Sequence, residues 1–220
     1  MRSTKCSNCF MKIAAALTLL AGAETARGGG VILFSDLGSG GNVYNTGSGY
    51  LVSGSTSGAG QAASEYFAFT PSASAFLAQI DVAILSITGT NSVQVTLNSD
   101  SAGSPGAALE GWTLINLQTV PNSCCGLETV LSTSPVFLAA GTQYWVGASA
   151  IASDTWAEFY LDSTSITGTR AFSINGGSFL LGPNTLGAFD VIGVPEPGTF
   201  ALAATGLALC LLLRRHPLRA

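Results

Sequence analysis

Val93-Gln-Val-Thr-Leu97 and Thr155-Trp-Ala-Glu-Phe-Tyr-Leu-Asp162 are the stretches from which the fold is read. In the first, Val93, Val95 and Leu97 fall on one side of an extended chain while Gln94 and Thr96 fall on the other. In the second, Ala157, Phe159 and Leu161 share one face, and Trp156, Glu158, Tyr160 and Asp162 share the opposite one. Period two over short runs is the signature of half-buried strands. Working outward, similar runs recur at Val31–Phe34, Ser64–Phe69, Phe76–Ile87, Trp112–Leu117, Val136–Leu138, Gln143–Ser149, Thr169–Ile174 and Phe189–Ile192. Gly-rich turn signals separate them: Gly38-Ser-Gly-Gly41, Gly89-Thr-Asn91, Ser101-Ala-Gly-Ser-Pro-Gly106, Ala140-Gly141 and Asn175-Gly-Gly177. Helical periodicity is missing. The expected fold is all-β, an antiparallel β-sandwich of jelly-roll-like type, formed by one domain over residues 24–193. The segment Gly38 to Gly60, nearly all Gly, Ser and Thr around Tyr44, Tyr50 and Leu51, reads as a loose loop or a poorly formed edge strand.

Both ends differ from this middle. Met11-Lys12 opens an apolar run, Ile13 to Leu20, that closes in Ala21-Gly22-Ala23. That order describes a secretory signal peptide over residues 1–23, with Met1 or Met11 as the start. Cys6 and Cys9 lie in the part removed and lack the second ligand pair of a structural zinc site. At the other end, Val194-Pro-Glu-Pro-Gly198 precedes an uninterrupted apolar run, Phe200 to Leu213, and then Arg214, Arg215 and Arg219. As a short helix that run covers about 21 Å at 1.5 Å per residue, against a hydrocarbon core of roughly 30 Å. It is a marginal span, suited to holding the chain transiently in an inner membrane with its arginines on the cytoplasmic side.

Charge narrows the function classes. Six of the eight basic residues sit in these two terminal segments, and the stretch from Glu24 through Glu196 keeps only Arg27 and Arg170 against twelve carboxylates, a net charge of −10 if cleavage falls after Glu196. No basic footprint exists for nucleic acid or for an anionic membrane surface. The sole histidine is His216, and no lysine lies between the two ends. Ser-His-Asp and Cys-His catalysis, Schiff bases and imidazole metal sites are therefore excluded from the ectodomain. No cofactor and no metal site is expected.

The C-terminal order of parts, Val194, Pro195, Glu196, Pro197 and Gly198, then an apolar helix, then Arg214-Arg215, resembles the PEP-CTERM sorting signal over residues 194–220. That resemblance implies an exosortase as partner, processing near Pro-Glu-Pro, and a cell-surface or extracellular-matrix address in an exopolysaccharide-producing Gram-negative bacterium. A second resemblance rests on Val95 through Trp112 and on Phe137-Leu-Ala-Ala-Gly-Thr-Gln-Tyr-Trp-Val146. These are similar to the choice-of-anchor type of bacterial surface domain, over roughly residues 31 to 175. It implies a β-sandwich and brings no catalytic residues with it.

Within the domain the best ligand-binding candidate is the face Trp156, Glu158, Tyr160 and Asp162, where rings could stack on sugar C–H faces and carboxylates accept from hydroxyls. The alternative covers this face with a sheet edge or a loop. Glu158 and Asp162 are also the candidate glycosidase pair, but residues four apart on a strand lie roughly 13 Å apart, against about 5–5.5 Å for retaining chemistry. Glu110 or Glu128 would be needed from another strand. Asn98 to Gly103 resembles a calcium loop in part, yet position twelve is Leu109, and a β-turn organised by Asp100 explains the same residues. Cys124 and Cys125 are adjacent, so a vicinal disulfide, an intermolecular bridge or two thiols are open to them in an exported chain. The expectation is a non-enzymatic exported protein associated with exopolysaccharide or biofilm. A secreted carbohydrate-active enzyme using two carboxylates is the alternative, and a matrix filler without ligand is the third.

Overall fold

The computed structural model describes residues 30–38, 43–119 and 126–194. Fourteen strands build it, with no helix among the described residues: β1 Val31–Ser35, β2 Tyr44–Ser53, β3 Ala63–Phe69, β4 Ala75–Val82, β5 Ile84–Thr88, β6 Ser92–Ser101, β7 Ser104–Ile115, β8 Glu128–Leu131, β9 Phe137–Leu138, β10 Tyr144–Ala150, β11 Trp156–Asp162, β12 Thr167–Ile174, β13 Leu180–Thr185 and β14 Phe189–Val194. The predicted signal peptide and the predicted C-terminal helix lie outside the described residues. No described helix is long and apolar enough to cross a membrane.

Two antiparallel sheets result. The smaller has the order β1-β14-β4-β8, with β9 also on β4. The larger runs β5-β11-β2-β3-β10-β6-β7, and the β12–β13 hairpin joins it on β3. Their inner faces meet in one core. Leu33, Leu77, Ile80, Val82, Phe189 and Val191 come from the smaller sheet, and Val52, Phe67, Phe69, Val93, Val95, Leu97, Val146 and Phe159 from the larger. The rings of Phe67 and Phe159 meet edge to face at 4.9 Å, and Phe34 stacks on Phe189 at 4.9 Å across strands. The expected antiparallel sandwich is what the chain forms, and Val93, Val95 and Leu97 are all fully buried as their alternation requires.

Three departures from the sequence reading have local causes. Phe76–Ile87 is two strands, because the chain leaves the smaller sheet at Ala83 and enters the larger one at Ile84. Tyr44–Ser53 is an interior strand between β11 and β3, held by Tyr44, Tyr50 and Val52 although the residues between them are mostly exposed. The turn expected over 101–106 is a two-residue hairpin at Ala102-Gly103, both at positive φ (52° and 82°), and β7 already starts at Ser104. Asp100 closes that hairpin, accepting from the Gly103 N–H at 3.0 Å and from Gln143 and the Trp145 indole at 2.7 and 2.8 Å. These donors hold its carboxyl below the usual range, the Gly103 amide first. The turn, not a calcium loop, is the structure here.

Candidate functional site

The four residues singled out on β11 do not form one open face. They do alternate with the core-facing Ala157 and Phe159, and the register shift after Tyr160 falls in β2, where Gly49 and Asn45 stand opposite successive residues of β11. The shared face is covered at its far end: Tyr160, beside Glu158, is buried in a second, smaller apolar cluster with Tyr44, Ala83, Leu85 and Ala188, its ring 5.6 Å from that of Tyr44. Burial, reinforced by the neighbouring Glu158, pushes its hydroxyl up to about 12. Asp162 is 3% exposed and organises the following turn, its Oδ1 accepting from the Thr164 amide and hydroxyl (2.8 and 2.9 Å) and the Ile166 amide (3.0 Å). Trp156 is half-covered, since a Cβ on Gly58 would lie 2.9 Å from its ring, and its indole nitrogen is enclosed without a partner. Glu158 keeps partial exposure. The open platform is thus reduced to Trp156 and Glu158.

The other proposed carboxylates are committed elsewhere. Glu110 accepts from the Ser132 hydroxyl (2.7 Å) and from the Thr133 amide and hydroxyl (2.6 and 2.9 Å). Burial works to raise its carboxyl, and these hydrogen bonds overcome that and hold it below the usual range. Glu128 accepts from the Gln118 amide. Surface recesses lined by Ser53, Ser64, Ser149 and Ser173, and by Thr70, Gln143, Thr167 and Leu186, contain no titratable side chain.

Three aspartates that the sequence reading passed over carry the unusual electrostatics. Asp81 on β4 and Asp190 on β14 are direct cross-strand neighbours. Their carboxyls hydrogen-bond each other, and Asp81 also accepts from Thr129 Oγ1 and, at 2.7 Å, from Gln79. Burial first, then the charge of Asp81, raises Asp190 to about 7. Asp36, just after β1, is 1% exposed, and its Oδ1 accepts from the Phe189 amide at 2.7 Å. Burial is the main cause of its rise to about 8, with the charges of Asp162 and Asp190 adding to it. No pattern in the sequence could have joined them, because they come from three strands or strand ends, β1, β4 and β14, brought together by the sheet topology.

One cation is present among the described residues, Arg170, and it is internal. Its Nε and Nη2 donate to Glu65 at 2.6 and 2.7 Å, and its guanidinium lies 3.9 Å from the Tyr50 ring centre and 4.3 Å from that of Phe172.

The sorting junction begins where the fold ends. β14 lies between β1 and β4, with Ile192 opposite Ile32 and Gln79, and Val194 opposite Phe76. Val194 is exposed and is the last described residue, so the strand takes in one residue assigned above to the tail. Pro195, which has no N–H to offer a ladder, comes next. Pro195, Glu196, Pro197, Gly198, Arg214 and Arg215 lie outside the described residues, as do Cys124 and Cys125. Residues 193–215 match the PEP-CTERM protein-sorting motif. The motif marks an exported protein that is processed at the membrane by an exosortase and displayed on the surface. No curated protein matches the chain.

Proposed function

We propose that this exported protein works without catalysis, as a surface or matrix component of a Gram-negative envelope that makes multivalent contact with extracellular polysaccharide. The observation that carries it is continuity: the sorting motif starts on the last residues of an interior strand, so the whole sandwich is the cargo. The resemblance of residues 31 to 175 to choice-of-anchor domains belongs to the same reading, since such a module is a passenger on an interchangeable anchor.

The polysaccharide contact is best supported on the outer face of the smaller sheet. Phe76 and Phe137 meet edge to face at 5.4 Å there, Phe137 is exposed, and Gln79 on β4 supplies a polar group on the same side. Aromatic faces beside an amide group suit sugar rings, which present C–H patches and hydroxyls together.

In the native host, replacing Pro195 and Pro197 with alanine is expected to leave an unprocessed, membrane-bound precursor on immunoblots. Processed protein should co-sediment with the host's extracted exopolysaccharide, and Phe76→Ala with Phe137→Ala should release it. Depolymerisation of that polysaccharide by the purified protein would refute the non-enzymatic reading. Full recovery of intact precursor from the cytosol would refute delivery.

A further inference from the structure

At the end of the sandwich where β1, β11 and β14 meet, the chain has placed buried negative charge without a counter-charge. Asp36 and Asp162 are 1% and 3% exposed. Each uses Oδ1 to accept backbone amides, and each keeps Oδ2 buried with no hydrogen-bond partner. The two residues are neighbours through Thr164, whose hydroxyl is 2.9 Å from Asp162 Oδ1 and 3.4 Å from the Asp36 carbonyl oxygen.

A buried carboxylate oxygen left bare costs several kcal/mol unless something neutralises it. A proton on Asp36, whose carboxyl is raised to about 8, serves below that pH, and three other neutralisers are conceivable above it. Among the described residues no internal cation is free for the task, because Arg170 is held by Glu65. A direct carboxyl–carboxyl hydrogen bond is the second, and it joins Asp81 and Asp190. Asp36 and Asp162 do not hydrogen-bond each other; they feel each other only through charge. An external cation between them would neutralise both carboxylates at once.

We propose that Asp36 Oδ2 and Asp162 Oδ2 bind a calcium ion, with the Thr164 hydroxyl and the Asp36 carbonyl as further oxygen donors and water completing the shell. The donor set is all oxygen, which selects a hard cation, and calcium tolerates irregular six- to eight-fold shells where magnesium demands a near-ideal octahedron. Among the described residues no three carboxyl, imidazole or thiol groups converge on one point. Two carboxylates with neutral oxygens therefore define a site of modest affinity, in the range of about 10⁻⁴–10⁻³ M found in extracellular modules. The ion would tie β1 to the β11–β12 connection.

The test uses the full chain in detergent, stripped with EGTA and dialysed, followed by scanning calorimetry at pH 8 with CaCl₂ or MgCl₂ as the only additions. Calcium at about a hundred times its dissociation constant should raise Tm by about 5–10 °C, with saturation, and magnesium should do much less. Asp36→Asn is the informative variant. It keeps Oδ1 for the Phe189 amide and places an NH₂ where the bare oxygen was, so it can donate to Asp162. Its Tm without calcium should lie above that of the parent, and its calcium response should vanish. Should D36N fail to fold, Asp162→Asn, which also preserves its Oδ1 acceptor, must likewise lose the response. An unmoved parental Tm, an equal response to magnesium, or a full calcium response in a folded variant would each overturn the proposal.

Discussion

Arg170→Ala should destabilise the protein by an amount that depends on pH in a way packing alone cannot reproduce. Glu65 occupies an inward position of β3 between Ala63 and Phe67, 1% exposed, where alternation calls for a hydrophobe. Burial pushes its carboxyl above the usual range, and the hydrogen bonds and charge of Arg170 draw it back. Removing the guanidinium leaves only the upward push. Breaking a buried pair in this way costs about 3–5 kcal/mol. A proton sets the ceiling on that cost, since Glu65 can be neutralised at about 1.36 kcal/mol for each pH unit above its unfolded value of about 4.3. The ceiling is then about 3.7 kcal/mol at pH 7 and about 1 kcal/mol at pH 5, trimmed by whatever upward displacement the intact pair already carries. Loss of the stacking on Tyr50 and Phe172 adds about 1 kcal/mol at either pH.

The expected losses are therefore about 3–4 kcal/mol at pH 7 and about 1–2 kcal/mol at pH 5. The sign follows from linkage. A carboxyl raised in the fold contributes fully below its unfolded value, and that contribution is lost as pH rises through its folded value, which is higher in the variant. Urea unfolding followed by tryptophan fluorescence at the two pH values measures the difference. Glu65→Gln combined with Arg170→Ala should flatten the pH dependence. A loss equal at both pH values, or one below about 1 kcal/mol at pH 7, would refute the argument that Glu65 is desolvated and charged.

Three further outcomes are expected. Because Asp190 is raised to about 7, its contribution should be complete below about 4 and fade as pH rises through about 7; Asp190→Asn should remove that part of the Tm-against-pH curve. Gly89→Ala should cost about 2 kcal/mol or more by chemical denaturation, since Gly89 has φ +79° and its Cβ would lie 1.9 Å from the Asp154 carbonyl oxygen. Ala102→Gly should stabilise by about 1 kcal/mol by the same assay, because Ala102 takes a positive φ of 52° at the first turn position of the β6–β7 hairpin.

Legibility followed the chemistry of each strand. β6 and β10 were readable because side chains alternate against a core that needs them, with Val93, Val95, Leu97 and Val146 fully buried. β2 was not, because its register is imposed by β11 along most of its length, so Gly, Ser and Thr suffice at most positions. β8 and β13 are short or carry Pro183, and take their conformation from partners β4 and β12. The β11 face was legible as a face but not as a covered one. Its far end lies under the second cluster of Tyr44, Ala83, Leu85 and Ala188, where Tyr160 is buried, and Asp162 beyond it is buried too. The acidic residues at the sheet ends were invisible as a group, since Asp36, Asp81, Asp162 and Asp190 are separated by dozens of residues and become neighbours only through topology.

That topology also bears on when the protein can fold. In the smaller sheet β14 is interior, with β1 on one edge and β4 on the other. Val31 pairs with Gly193, so the first described strand has no lateral partner until nearly the whole domain is available. A chain emerging N-terminus first leaves β1 unpaired and one edge of β4 open, its other edge being taken by β8 and β9, until Phe189 to Val194 arrives. Exposed strand edges of this kind favour wrong pairing. Closure of the sandwich therefore coincides with emergence of the segment that begins the sorting motif at residue 193. Brief retention by the apolar tail at that moment would hold the last strand beside the domain it completes, and cutting beyond Val194 would leave every ladder hydrogen bond of β14 in place. Sorting after closure and release without damage are then two consequences of a single arrangement, an interior strand running directly into the signal.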